Sequence, residues 1–380
     1  LSIVGLGCSS FSTFFDAKLE SLDKNDETVQ EWIRTIHHAI RSGINLLDTA
    51  PWYGHGTSEI VVGWALEELF SSEKGDLKRQ NLVINTKVGR YKADPKEQFD
   101  FSYAATIKSV NRSLQRLQCD YIDVLQLHDP EFAPSLEQLL DETIPAMREC
   151  QDKGYCCSLG LTGYPLQTQL KILLASLQRF GTNIWDQALT YGHFNLHDSS
   201  LIQKPLTIIN DKPTSFLDAL RNEHNMGVLA AAPLSMGLLT KSGPPEWHPA
   251  PRELKEASLK ANEICETLGV NISHLAIMFA ISAQSIPCTI LGMKNVDQVN
   301  TSCGLALRFA DIEKNDQDQN DILKAVLSST EYRAYEEIVN PETGPFASHE
   351  HWAWDGIKGA LEFWKELGVE VENWQGHIGK

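Results

Sequence analysis

Short apolar runs alternate with longer stretches whose apolar residues recur every three or four positions, which predicts strands separated by helices. The first run is Ile3-Val4-Gly5-Leu6-Gly7. Val29, Ile33, Ile36 and Ile40 then mark one helix face, and Gly43 closes it. Ile44 to Leu47 reads as a second strand, with Ser58 as the expected N-cap of a helix carrying Val61, Ala65 and Leu69. Leu82-Val83-Ile84 and Tyr121 to Leu127 are the third and fourth strands, with a helix stripe of Ile107, Val110, Leu114 and Leu117 between them. A helix from Leu136 to Met147 is expected to be limited by Pro145. Ser158 to Leu161, Ile184 to Leu189, Val228 to Ala231 and Cys288 to Leu291 complete the strands. Helical patterns at Leu170 to Leu177, Phe216 to Arg221 and Leu275 to Ile281 separate them.

Eight strands alternating with helices indicate an α/β fold, either a closed (β/α)8 barrel or a doubly wound open sheet. Periodicity leaves both open. The chain has 380 residues, and a (β/α)8 barrel takes roughly 250 with room for insertions. Residues 305–380 do not follow the repeating unit. They read as a C-terminal helical extension packed on a barrel at 1–304, with aromatic residues at Phe346, Trp352, Trp354, Phe363, Trp364 and Trp374.

Composition narrows the classes. A net charge of −17 argues against nucleic acid and against an anionic membrane as partners, since both call for a basic face. No run of 18 apolar residues exists, and no signal peptide is visible. The eight cysteines are scattered without a C-x-x-C pair and read as core thiols of a reducing compartment. A cytoplasmic enzyme is the expectation.

In a (β/α)8 barrel, chemistry sits where the strands end. Asp48 ends the second strand, with Tyr53 five residues on; Lys87 ends the third and His128 the fourth. Singly, such an Asp is a helix cap and such a Lys or His is surface. Together they make one chemistry. A tyrosine, with an ordinary pKa of about 10, can exchange a proton with a carbonyl or alcohol oxygen. A nearby ammonium lowers that value, so Lys87 is expected to favour the phenolate, with Asp48 holding Lys87. His128 can position the substrate oxygen or relay the proton. No side chain supplies a hydride, so a nicotinamide nucleotide is implied.

Asp48-Thr49-Ala50-Pro51-Trp52-Tyr53-Gly54 followed by Ser58-Glu59, with Thr86-Lys87 and Leu127-His128, resembles the signature of the aldo-keto reductase family. The resemblance runs from Val4 to about Gln298. It implies a (β/α)8 TIM barrel, the tetrad Asp48, Tyr53, Lys87 and His128, and an NAD or NADP cofactor. Gly89-Arg90-Tyr91, Leu161-Thr162-Gly163, Ala232 to Thr240 and Gly243 to Ala250 are similar to its L-galactose dehydrogenase branch. That branch oxidises the anomeric carbon of an aldose to a lactone. The resemblance places Thr162, Leu234, Met236, Gly237, Gly292, Lys294 and Gln298 at the cofactor, and Trp52 with His128 at the substrate. There are departures: Gly163 stands where an Asn is usual, Leu189 where many members have Gln, and Ala231 where a stacking Tyr is usual. Lys294 and Gln298 stand where NADP-specific members often carry Arg, which favours NAD.

Two alternatives remain: an NADPH-dependent reductase of aldehydes, and a cofactor-binding, non-catalytic subunit of the kind that associates with channels. His193 and His197 have metal-ligand spacing, but no metal is expected. Gly5 and Gly7 are expected to let the chain turn beneath the substrate. The loops at 8–28, 91–101, 193–212 and 241–253, with the C-terminal tail, are expected to choose the substrate.

Overall fold

In the computed structural model, which describes residues 1–12, 21–71, 77–209, 211–312, 318–348, 356–371 and 373–375, eight parallel strands close into a barrel. They are β1 (Val4–Gly7), β2 (Leu46–Asp48), β3 (Val83–Val88), β4 (Ile122–His128), β5 (Cys156–Gly163), β6 (Gln187–Tyr191), β9 (Gly227–Ala231) and β10 (Thr289–Gly292). Strand β10 pairs with β1 and shuts the ring, so the open-sheet alternative is excluded. Two further strands, β7 (Pro205–Ile209) and β8 (Lys212–Ser215), form an antiparallel hairpin outside the barrel. It lies in a stretch expected to be loop.

Two apolar layers explain the closure. Leu46, Leu189, Leu229, Ala231, Cys288 and Ile290 fill the inside of the ring, as the inward layers of such barrels require. The larger cluster lies between strands and helices, with Ile33, Ile36, Val61, Val110 and Leu170 among its buried members. Five of the eight cysteines are buried and all eight are free. Gly5 and Gly7 lie inside β1 rather than in a turn. A Cβ at Gly5 would come within 2.6 Å of Ile290 Cδ1, so glycine there makes room for the barrel filling.

Some elements differ from the sequence pattern for identifiable reasons. Ser58 is not an N-cap: the helix already runs Thr57–Ser71, and the Ser58 hydroxyl is buried against Thr49 Oγ1 (2.9 Å) and Cys8 O (2.7 Å). Pro145 does not end its helix. A π-helical stretch at Leu139–Thr143 runs directly into the helix Ile144–Asp152, and this local widening just ahead of Pro145 lets the helix continue past the proline. The Phe216 stretch is likewise split, into Phe216–Asp218 and a π turn at Ala219–Glu223.

After β10 come helices Val296–Leu307, Gln319–Val326, Ser329–Val339 and Gly356–Glu366. The last part of the chain grips the segment following β4. Trp364 Nε1 donates to Phe132 O at 3.1 Å, Trp374 Nε1 to Ala133 O at 2.8 Å, and Gln375 Nε2 to Glu131 O at 2.8 Å. Phe363 meets Phe99 and Phe132 edge-on, and those two rings stack at 4.3 Å. Trp352 and Trp354 lie outside the described residues.

The second and third barrel helices meet at a glycine. A Cβ on Gly63 would fall on the carbonyl oxygen of Arg116, in helix Tyr103–Leu117. Backbone cannot yield as a side chain does. Gly63→Ala is therefore expected to lower stability by about 1–3 kcal/mol, read as a lower denaturation midpoint in urea with an unchanged slope. An unchanged midpoint would show that the two helices part freely.

Candidate active site

Parallel register carries the strand-end polar residues to one face. Gly7 is level with Asp48, Asp48 with Asn85, Lys87 with Gln126, and His128 with Thr162. Lys87 and His128 each stand two positions beyond the partner of the preceding strand's residue. Side chains alternate along a strand, so Asp48, Lys87 and His128 point the same way, into the mouth of the barrel. The turn Tyr53–Gly56 follows β2, and Gly54 (φ 59°) and His55 (φ 54°) bend it back.

The four predicted residues meet in a pocket of about 420 Å3. Lys87 Nζ donates to Asp48 Oδ2 and to Thr49 O, both at 2.7 Å. Asp48 Oδ1 accepts from Gln126 Nε2 at 2.9 Å. Lys87 Nζ lies 4.8 Å from the centre of the Tyr53 ring. Tyr53 and His128 meet edge to face, with ring centres 6.1 Å apart.

One electrostatic expectation is overturned. The Tyr53 hydroxyl is held well above its ordinary pKa, not below it. Burial is the largest cause; the charges of Asp48 and Asp129 act in the same direction, against Arg90. Lys87 is paired with Asp48 at 2.7 Å and is not among the main influences on the phenol. Tyr53 is therefore a phenol in the free protein. Burial also pushes His128 down to about 3, helped by Lys87 and Arg90 and opposed by Asp129. Its imidazole is neutral, and its Nδ1 has no hydrogen-bond partner.

The same pocket gathers Trp52, Thr162, Leu234, Met236, Gly237 and Gly292. Lys294 and Gln298 are not in its lining. Gln298 sits on the exposed first turn of helix Val296–Leu307 and Lys294 just before its N-cap, Asn295; the Gln298 side chain accepts from the Lys294 N–H at 2.8 Å. The pocket fits a nicotinamide: apolar residues (Leu189, Ala231, Ile290) line it beside Tyr53, and a Cβ at Gly292 would meet nothing within 4 Å. His193 and His197 are engaged by neighbouring oxygens. His193 bonds Ser200 Oγ and Tyr164 O, His197 bonds Ser235 Oγ, and no group of three metal-ligating side chains occurs among the described residues.

Sequence reasoning missed several lining residues. Arg90 and Asp129 form an ion pair at 2.8 Å on the pocket wall, and Tyr164, Tyr191 and Trp247 line it too. Asp129 was legible in principle, as a second charge immediately after His128. Behind it, Glu131 is fully buried, accepts from Tyr164 N at 3.0 Å, and lacks a partner at Oε2.

A closed parallel barrel whose strand ends join a buried phenol, a neutralised ammonium and a neutral imidazole defines an oxidoreductase of the (β/α)8 class. The aldo/keto reductase family model matches residues 17–325, and the chain belongs to that family. It is 37% identical over 299 residues to the L-galactose dehydrogenase of Arabidopsis thaliana, covering 79% of this chain and 82% of that one. It is 32% identical over 249 residues to the D-arabinose 1-dehydrogenase of Saccharomyces cerevisiae, covering 65% and 68%. The fold resembles an aldo-keto reductase of Bacillus halodurans in its holo form, with a TM-score of 0.58, 24% identity, and 86% and 92% of the chains covered. Family membership implies a nicotinamide cofactor.

Burial, with the Asp129 charge beside it, raises the Glu131 carboxyl to about 8 from an ordinary 4.5. Between those values the folded chain keeps a proton that the unfolded chain releases, so stability falls as pH rises through the window. Glu131→Gln keeps an acceptor for Tyr164 N and removes the ionisation. Its thermal midpoint relative to wild type is expected to be higher at pH 8 than at pH 5; a pH-independent difference would contradict the buried neutral acid.

Proposed function

We propose that the protein oxidises the anomeric carbon of an aldose such as L-galactose to an aldonolactone, using NAD. The observation that carries this is the convergence of Tyr53, Lys87, Asp48 and His128 on a largely apolar pocket that carries the Arg90–Asp129 ion pair in its wall. The likeness to two sugar dehydrogenases supports the substrate class. NAD is supported by the first turn of helix Val296–Leu307, where Asp297 stands between Lys294 and Gln298 and would repel a 2′-phosphate.

When bound, the nicotinamide supplies the hydride acceptor. The chain's own residues move the proton. In the oxidative direction, Tyr53 as phenolate takes the proton of the C1 hydroxyl while C1 loses its hydride and becomes a carbonyl. In the reductive direction, the phenol returns that proton to the carbonyl oxygen. A raised pKa makes the phenolate scarce but strongly basic, so oxidation gains with rising pH. His128, being neutral, positions the same oxygen through a hydrogen bond. Lys87 and Asp48 keep the floor of the pocket fixed and close to neutral. Thr162, Leu234, Met236, Gly237 and Gly292 would hold the cofactor, and Trp52 would border the sugar.

The test is a matrix of initial rates with L-galactose, L-fucose and D-arabinose against NAD and NADP, for wild type and Tyr53→Phe. Wild type is expected to form NADH with at least one sugar. Tyr53→Phe is expected to lose at least about 100-fold in kcat while its affinity for NADH is kept. No NADH from any sugar would overturn the substrate, and a strong NADP preference would overturn the cofactor. Turnover of aromatic aldehydes with NADPH alone would mark a carbonyl reductase instead.

A further inference from the structure

The wall of the pocket opposite the cofactor-side residues holds charges that the proton transfer does not use. Arg90 Nη1 donates to Asp129 Oδ2 at 2.8 Å. The Arg90 guanidinium lies 4.2 Å from the centre of the Trp52 ring and 5.3 Å from that of Phe99. Asp129 is 4% exposed and sits in a left-handed turn (φ 48°), with its N–H donated to Thr162 O at 2.9 Å. Arg90 Nε is buried without a hydrogen-bond partner.

Burying an ion pair carries a desolvation cost that an apolar pair of similar shape avoids. This pair is held rather than merely tolerated. Trp52 fixes the plane of the guanidinium, and the left-handed turn fixes the carboxylate. Phe99, stacked on Phe132 and met edge-on by Phe363, is anchored by the C-terminal extension. A rigid fork of N–H donors beside a fixed acceptor is suited to neighbouring hydroxyl groups, each of which both donates and accepts.

We infer that Arg90 and Asp129 form a subsite for vicinal hydroxyls of the substrate, next to the reacting carbon, and so select hydroxylated carbonyl compounds and sugars over apolar aldehydes. The inference deepens the proposed function and rests on it for the sugar, but not for the hydroxyl preference. A site built to bond a hydroxyl rejects the analogue lacking it, because its own buried polar groups are then left unpaired. The subsite thus acts in both reaction directions.

Glyceraldehyde and propanal share a carbon skeleton and differ only in two hydroxyls. Their reduction with NADH is compared in wild type, Arg90→Met, Arg90→Lys and Asp129→Asn, alongside L-galactose oxidation with NAD. Thermal midpoints and NADH dissociation constants are measured for each variant. Arg90→Met is expected to lower kcat/KM about 10- to 100-fold more for glyceraldehyde than for propanal, mainly through KM; any change in the Tyr53 and His128 electrostatics reaches both aldehydes alike. Arg90→Lys keeps the charge but loses the fork, and is expected to fall between. If Arg90→Met does not fold, the glyceraldehyde-to-propanal ratio in the two conservative variants decides. Equal losses for both aldehydes, or no loss for either, would overturn the subsite. If wild type oxidises no sugar, the aldose reading fails, yet the aldehyde ratio still decides the subsite.

Discussion

The buried ion pair between Lys87 and Asp48 is the constraint on which the rest of the site depends. An ammonium and a carboxylate, 2% and 4% exposed at their side chains, are costly to hold away from water unless paired and hydrogen-bonded. Both conditions are met. Lys87 also donates to Thr49 O, and Asp48 accepts from Gln126. These bonds cross from β2 to β3 and β4, so the barrel register and the ion pair support one another. Tyr53 and His128 are then placed over a rigid floor whose net charge is near zero.

That neutrality sets the chemistry. Had Lys87 faced Tyr53 unpaired, a phenolate would form easily and donation to a carbonyl would suffer. With Asp48 in contact, burial dominates, so Tyr53 stays protonated and His128 stays uncharged. Both are suited to neutral hydrogen bonding at one substrate oxygen. The outer wall has the opposite character: Arg90, Asp129 and Glu131 keep charge or potential charge beside the pocket, braced by Trp364, Trp374 and Gln375 from the far end of the chain.

Much of this was visible in the sequence. Parallel strands buried on both faces read as near-continuous apolar runs, and Tyr121 to Leu127, interrupted only by Asp123 and Gln126, is such a run. A charged residue at the end of a run stands out, which is why Asp48, Lys87 and His128 could be found together. What the chain order hides is whatever depends on partners from other strands. Arg90 lies just past β3 and Asp129 just past β4, and only the barrel register makes them a pair. The direction of the Tyr53 shift was misjudged for the same reason, since it depends on how completely Asp48 cancels Lys87. The hairpin β7–β8 lay in a stretch read as loop, and each of its strands contains a proline, Pro205 and Pro213, a residue that argues against a strand. Pro145 misled because a π turn ahead of it removes the conflict that a regular helix would have met.

The central claim is that Asp48 cancels Lys87 and leaves Tyr53 a phenol. It is tested most directly by ultraviolet titration of tyrosinate in the cofactor-free protein, wild type minus Tyr53→Phe. The difference is predicted to show no ionisation assignable to Tyr53 up to pH 10. A one-tyrosine step in that difference between pH 7 and pH 9 would contradict it, and would restore Lys87 as an uncompensated charge acting on the phenol.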